Sequence, residues 1–168
     1  MLGRHLSVPL VALLLMAAGC GSDQVSEPGI SGADAGATRQ ISGNWAAILH
    51  QKGLRPFQIA VDITADGTAR VAYSGIECGG DWSLDGVQTS APPRYVFAEG
   101  ISEGAGDTCK GAGTVSLSPI QRNSPNEPAY SRMRYRFTGG GVESRGLLRR
   151  TDTSRMDKVF GQAGLSPP

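Results

Sequence analysis

The sequence has few of the residues on which catalytic and metal sites depend. It contains 2 histidines and 3 cysteines in 168 residues, and aromatic residues make up only 6% of it. His50 is the only histidine beyond the first twenty residues, and no G-x-S-x-G motif is present, so a serine hydrolase is not indicated. A zinc site needs more histidine and cysteine ligands than the chain can supply, because two of its cysteines are better explained as a pair. We therefore expect no catalytic residue, no metal and no cofactor.

A surplus of one charge sign and a long apolar run are also missing. The formal net charge is +1, and without Arg4 the 16 basic residues become 15, against 15 acidic residues. A neutral chain lacks the electric field that steers proteins to nucleic acids, so we expect no nucleic-acid partner. No apolar run reaches the ~20 residues that a membrane-spanning helix requires. The length suits one domain, which we expect to be a monomer.

The first twenty residues have the pattern of an export signal. A short basic start is followed by an apolar run over residues 6–18, which fits the core of a signal peptide. The run ends in A-A-G-C, which resembles the lipobox of bacterial lipoproteins. That resemblance implies that Cys20 receives a diacylglyceryl group, becomes the new N-terminus and tethers the protein to a membrane of the bacterial cell envelope. The alternative is an ordinary signal peptide in which Cys20 is incidental.

Two segments without apolar periodicity flank the centre of the chain. Residues 21–40 are rich in glycine, serine, alanine and aspartate and predict a flexible linker, which would hold the domain roughly 25 Å from the membrane. Residues 152–168 predict a polar, loosely ordered tail. The folded domain is expected between them, over residues 41–151.

Apolar and polar residues alternate with a period of two throughout this domain, which is typical of strands with one buried face. No segment of ten residues shows a convincing helical period. We predict an all-β fold, a small antiparallel up-and-down β-barrel of about eight strands, with a β-sandwich as the alternative. The predicted strands lie near residues 44–50, 57–63, 71–73, 82–84, 95–97, 115–117, 132–137 and 142–150.

Cys78 and Cys109 remain once Cys20 is assigned to the anchor. In the oxidising compartment that an export signal implies, we expect them to form a disulfide that closes a loop of about thirty residues. The alternative is two buried free thiols. The surrounding pattern, Y-x-G-x-x-C-G-G-x-W-x-L followed by G-x-x-C-x-G-x-G-x-V-x-L, resembles a small extracellular domain of bacterial lipoproteins and membrane-anchored serine/threonine kinases. That resemblance implies an extracytoplasmic, disulfide-bonded β domain and no particular activity.

A second resemblance concerns how the barrel closes. Gly43-Asn44-Trp45 opens the first predicted strand, and Arg149 lies on the last one. A G-x-W opening with an arginine on the final strand is similar to the calycin barrels, the lipocalins and avidin-like proteins. The similarity implies that Trp45 closes one end of the barrel and that Arg149 packs across it.

Four aromatic residues are candidates for a ligand site. Tyr73, Trp82, Tyr95 and Tyr135 alternate with polar residues on the predicted strands. They would line a cavity if the barrel is open at one end. The alternative is that they simply fill the interior of a small barrel.

Three arginines are candidates for a partner surface. Arg132, Arg134 and Arg136 share one face of a predicted strand, and Arg145 follows on the next one. Such a stripe would suit an anionic partner, such as phospholipid head groups, teichoic acid or an acidic protein loop. The alternative is a solvent-exposed face whose arginines pair with Glu143 and other acids.

Glu99 and Glu103 could serve as the acid and nucleophile of a glycosidase. They lie four residues apart at a strand end that glycine interrupts, a pattern more typical of solvated loop carboxylates. We expect Glu99 to form a local hydrogen bond or an ion pair with a strand arginine.

Together these features favour a non-catalytic, membrane-tethered lipoprotein that binds a small ligand or a component of the cell envelope. The alternative is a protein-interaction module similar to the disulfide-bonded β-barrel lipoproteins that inhibit lysozyme, with the loop over residues 119–128 as the inserting element. A hydrolase is the third hypothesis. A hollow barrel would favour the first hypothesis, a filled core with an ordered protruding loop the second, and a buried pair of carboxylates the third.

Overall fold

The structure is a computed structural model that describes residues 30–31, 36–104, 109, 112–120 and 130–168. The predictions for the export signal and Cys20, for most of the linker and for most of the loop over residues 119–128 lie outside the described residues.

Nine strands and one helix are formed by the described part of the chain. In chain order they are β1 (Ile30–Ser31), β2 (Gly43–Gln51), β3 (Phe57–Ile63), β4 (Thr68–Ser74), β5 (Cys78–Gln88), β6 (Arg94–Gly104), β7 (Gly113–Pro119), β8 (Arg132–Gly139), β9 (Val142–Arg150) and α1 (Thr153–Gln162).

Eight of the strands close into an antiparallel barrel. Each strand from β2 to β9 pairs with the next one along the chain, and β9 returns to pair with β2. A tight turn joins β3 to β4, where Gly67 has a φ of +93°, and another joins β8 to β9 at Gly140 and Gly141, which also have positive φ. The up-and-down barrel of eight strands is confirmed. β1 pairs with β5, where Ile30 lies opposite Gln88. The expectation of a flexible linker is therefore wrong for residues 30–31, because they form backbone hydrogen bonds with a barrel strand.

Side chains fill the barrel interior. The inward positions of the strands carry large apolar residues, and Trp45, Phe97 and Leu117 have 0% of their surface exposed. Burial of this apolar surface is the main stabilising contribution to the fold, at about 25 cal/mol per Å². The core extends from Ile41 to Ala163, so residues 21–168 contain every strand and core side chain that the described barrel uses.

One end of the barrel is closed by Trp45 and an arginine. The guanidinium carbon of Arg150 lies 4.6 Å from the centroid of the Trp45 ring. Arg150 also donates hydrogen bonds to the carbonyl oxygens of Tyr130 at 2.8 Å and Ser42 at 2.9 Å. The expectation that Arg149 has this role is wrong, because neighbouring residues of a strand point to opposite faces and Arg149 is exposed on the outer one.

The expected loose tail is also wrong, because residues 153–162 form helix α1. Asp152 caps its first turn by accepting a hydrogen bond from the backbone N–H of Arg155 at 2.9 Å. The helix buries Met156, Val159 and Phe160 against the outer face of the barrel.

Small residues make room for this helix. Ala46 lies opposite Ala60, Ala60 opposite Ala72, and Ala72 opposite Gly79, so a row of small side chains crosses four strands. Ala60 and Ala72 are fully buried under the helix, and a side chain at Gly79 would collide with Leu165. No helix among the described residues is long and apolar enough to cross a bilayer.

Candidate functional site: a cleft around Glu99

A cleft enters the barrel at the end opposite Trp45. It lies where β2, β4, β6 and β8 end and where β3, β5 and β9 begin, and it has a volume of about 50 Å³. This space accommodates a few water molecules or one small chemical group, because a single water needs roughly 10–15 Å³ of such volume. The lining comprises Gln51, Phe57, Tyr73, Ile76, Cys78, Glu99, Ile101, Cys109, Tyr135, Phe137, Val142 and Ser144.

Glu99 supplies the charged group of this cleft. Its side chain points inward from β6 and the residue is 4% exposed. Trp82, directly opposite on β5, donates a hydrogen bond from Nε1 to Glu99 Oε1 at 2.7 Å. The hydroxyl of Tyr73 donates to the same oxygen, and the hydroxyl of Tyr135 lies 3.4 Å from that of Tyr73. A chain of hydrogen bonds, which we call the hydrogen-bond relay, therefore runs from Tyr135 through Tyr73 to the carboxyl group of Glu99.

Burial dominates the electrostatics of the cleft. It raises the pKa of Glu99 above the ordinary value, while the hydrogen bonds from Tyr73 and Trp82 oppose that rise. Burial likewise raises the pKa values of Tyr73 and Tyr135, and the nearby Glu99 carboxylate raises both further. Both hydroxyls therefore remain protonated at neutral pH. No described lysine or arginine forms an ion pair with Glu99.

Aromatic rings form much of the wall. Phe57 and Tyr73 meet edge to face with ring centroids 6.2 Å apart. Tyr135 stacks on Trp82 with centroids 6.0 Å apart, although only Tyr135 reaches the cleft itself. Of the four aromatic candidates, Tyr73, Trp82 and Tyr135 therefore surround Glu99. Tyr95 is separate from them, since it lies at the start of β6, toward the opposite end of the barrel.

The disulfide between Cys78 and Cys109 forms part of the cleft lining. The two sulfurs are bonded and the Cα atoms lie 5.6 Å apart, which confirms the predicted pair. The crosslink joins the start of β5 to the segment between β6 and β7. On the chain-entropy model, a closed loop of this length stabilises the fold by roughly 3–4 kcal/mol.

The two candidate carboxylates lie in different environments. Glu103 is on the outside, where its Oε1 lies 3.3 Å from a guanidinium nitrogen of Arg70. Glu99 forms a hydrogen bond as expected, with Trp82 directly opposite it, but no ion pair with a described arginine. The expectation of a solvated loop carboxylate is wrong for Glu99, which is buried inside the barrel. His50 is exposed on the outer face. The described residues contain no group of three or more His, Cys, Asp or Glu side chains that could hold a metal ion.

The candidate arginines lie on the outer surface, away from the cleft. Arg134 and Arg136 are exposed and Arg132 is half-buried, while the residues between them point into the core. Arg136 and Arg145 both form ion pairs with Glu143, as the solvent-face alternative expected. The stripe is wider than the sequence indicated, because Arg149 of β9 lies directly opposite Arg132.

Glu99 is the functional candidate whose position sequence reasoning missed. A signal for it was present, because Tyr95, Phe97 and Glu99 have the same parity on one strand and must point to the same side. The polar pair at the rim of the cleft was not anticipated either. There the hydroxyl of Ser144 donates to Gln51 Oε1 at 2.6 Å, and these two residues become neighbours only through the pairing of β2 with β9.

No family model matches the chain, no curated protein matches it, and no solved structure matches its fold.

Proposed function

We propose that this protein is a non-catalytic, lipid-anchored binding protein of the bacterial cell envelope, and that its cleft takes the small cationic head of a ligand. The observation that carries this proposal is the buried Glu99 carboxyl group, which lies at an aromatic-lined cleft and forms no ion pair with a described basic residue. Buried carboxylates are unfavourable unless a cation or enough hydrogen-bond donors accompany them.

The hydrogen-bond donors favour the ionised form of Glu99, against the burial that raises its pKa. Trp82 can only donate, and the geometry directs the Tyr73 hydroxyl at the same oxygen. Two donors at one oxygen stabilise the ionised form. A buried carboxylate is stabilised further by a nearby positive charge, which an ammonium group in the cleft would supply.

The walls favour the same class of ligand. Phe57, Tyr73, Tyr135 and Phe137 line the cleft, and aromatic faces attract cations by up to ~2 kcal/mol in desolvated sites. A volume of about 50 Å³ admits an ammonium or methylammonium group but no drug-sized molecule. The ligand would therefore insert only an amine head, with the rest of it outside the barrel.

The filled interior argues against the lipocalin-like mode in which a barrel encloses a whole ligand. The interaction-module alternative shares this filled interior, and the loop over residues 119–128 that would serve it lies mostly outside the described residues. A hydrolase finds less support, since Glu99 and Glu103 do not share the cleft. Non-catalytic binding remains the proposal that the geometry supports best.

Methylammonium is the probe that tests this site. The chain has 2 tryptophans, so residues 21–168 labelled with ¹⁵N give two indole N–H signals. Trp82 reports on the cleft, and Trp45, whose Nε1 donates to the carbonyl of Ile41 at 2.8 Å, reports on the opposite end. We expect methylammonium to shift the Trp82 signal saturably and to leave the Trp45 signal in place. Methanol, an uncharged probe of similar size, should have no saturable effect.

Glu99→Gln is the matched variant, because it keeps the shape of the side chain and removes its charge. We expect it to abolish the saturable shift while the Trp45 signal shows that the barrel is folded. An equal response from Glu99→Gln, or no response from the native sequence, would rule out the cation site.

The lipid anchor has its own test. We expect Cys20→Ser to release the full-length protein from the membrane fraction after a wash at high salt, which removes electrostatically adsorbed protein. If the variant stays in the washed membranes, the anchor proposal is wrong.

A further inference from the structure

Six arginines gather on one outer side of the barrel, on strands β6, β8 and β9. We name this surface the arginine face, and it consists of Arg94, Arg132, Arg134, Arg136, Arg145 and Arg149. Four of them, with Ser116 and Ser118 of β7, line a shallow groove of about 450 Å³. Guanidinium and hydroxyl groups at this spacing can donate many hydrogen bonds to phosphate oxygens.

Stability alone does not favour this arrangement. Arg136 lies directly opposite Arg145, and Arg132 directly opposite Arg149. Like charges at such positions repel each other and destabilise a sheet. Glu143 relieves only the first pair, since it forms ion pairs with Arg136 and Arg145. The other four arginines form no ion pair with a described acid.

Acidic residues outside the arginine face balance its positive charge in the net charge of the chain. The formal net charge is +1, so acids elsewhere balance the arginines. Asp81 and Asp85, for example, are exposed on β5. The arginine face is therefore a local concentration of positive charge, which favours its approach to an anionic surface.

An apolar patch borders the arginine face. Ile48 of β2 is 55% exposed, and it lines a second groove together with Leu147 and Arg149. Exposed aliphatic groups next to arginines suit the boundary between lipid head groups and acyl chains, where both kinds of side chain find favourable surroundings. A soluble polyanion would gain nothing from Ile48.

Strand β1, the first described segment of the chain, lies beside the arginine face. Ile30 lies opposite Gln88, and Gln88 lies opposite Arg94 on its other side. The backbone at Ile30 is thus two strand spacings, about 10 Å, from Arg94. Nine residues separate Cys20 from Ile30, and they span at most roughly 36 Å when extended. A lipid attached at Cys20 therefore keeps the arginine face within reach of the same membrane.

We propose that the arginine face docks the barrel on the anionic phospholipid surface of the membrane that holds the anchor. The location of this contact depends on the lipid anchor of the proposed function, whereas affinity for anionic lipid is a property of the barrel itself. Docking would fix the orientation of a domain that a linker alone leaves free.

Cosedimentation of residues 21–168, which lack the anchor, with lipid vesicles tests the proposal. We expect binding to vesicles of phosphatidylglycerol and phosphatidylcholine in equal parts, and none to pure phosphatidylcholine. Binding should weaken steeply as salt is added. Because each basic residue near an anionic leaflet contributes roughly fivefold to partitioning, Arg94→Gln, Arg134→Gln and Arg149→Gln together should lower it at least ~10-fold.

A second triple variant controls for net charge. Arg39→Gln, Arg55→Gln and Arg70→Gln remove the same charge from positions outside the arginine face, and we expect at least half of the vesicle binding to remain. Equal losses in the two triple variants would show that only net charge matters and would overturn the proposal. So would a failure to bind the anionic vesicles, including the case in which inorganic polyphosphate is bound instead. None of these outcomes depends on methylammonium binding or on Cys20.

Discussion

Trp82 and Glu99 face each other across strands β5 and β6, and the indole N–H donates to the carboxyl oxygen at 2.7 Å. Each residue is almost fully buried, with 1% of Trp82 and 4% of Glu99 exposed. A barrel of this size could fill the same space with two apolar side chains at lower desolvation cost. The proposed cationic ligand would offset the cost of burying an acid at this position.

Removal of one hydroxyl group tests the hydrogen-bond relay. We expect Tyr73→Phe to lower the free energy of unfolding by about 1–3 kcal/mol, because Glu99 loses a donor inside the barrel. Tyr95→Phe is the matched control: Tyr95 is 3% exposed, and its hydroxyl does not contact Glu99. Urea denaturation of both variants measures the difference, and equal losses would show that the relay contributes nothing specific.

The pH dependence of stability reports on Glu99. Burial raises its pKa in the folded protein above the ordinary value of 4.5, so the folded state holds this proton more tightly than the unfolded state does. Its contribution to stability is fully present below the ordinary pKa and is lost as the pH rises through the folded pKa. Glu99→Gln does not titrate.

We therefore expect the native protein to lose stability relative to Glu99→Gln as the pH is raised across this window. Urea denaturation of the two proteins at a series of pH values measures this difference. A constant difference would mean that the folded pKa of Glu99 is not raised.

Closure of the barrel end at Trp45 depends on Arg150 and not on Arg149. We expect Arg150→Ala to cost about 1–3 kcal/mol, because it removes charged hydrogen bonds to the carbonyls of Tyr130 and Ser42 and uncovers the Trp45 ring. Arg149→Ala should change stability by no more than about 0.5 kcal/mol, since that side chain is exposed. Thermal denaturation ranks the two variants, and the reverse order would contradict the assignment.

Helix α1 is an integral part of the domain. Phe160 is 0% exposed against the outer wall of the barrel, so Phe160→Ala should cost about 3–5 kcal/mol. Lys158→Ala, on the exposed side of the same helix, should be nearly neutral. If both variants unfold at the same urea concentration as the native protein, the helix does not stabilise the barrel.

The sequence was sufficient to predict the eight barrel strands, because period-two alternation is a local signal. It also predicted the disulfide, because only two cysteines remain once Cys20 is assigned to the anchor. It was insufficient wherever the register between paired strands determines which side chains meet. Arg149 and Arg150 alternate between faces, and only their pairing with β2 shows that Arg150 meets Trp45. The small residues from Ala46 to Gly79 form a surface on which α1 packs only when the pairing of four strands brings them side by side. The helix itself had a local signal, since Met156, Val159, Phe160 and Ala163 follow a helical period, but the polar residues around them obscured it.

Titration of the Glu99 carboxyl carbon by ¹³C NMR tests the cation site most directly. Without ligand, we expect a pKa above that of an ordinary glutamate, since burial disfavours the charge. With saturating methylammonium, we expect the pKa to fall, because the bound cation favours the ionised form. A pKa that stays the same with and without methylammonium would show that Glu99 is a polar core residue and that the cleft binds no cation.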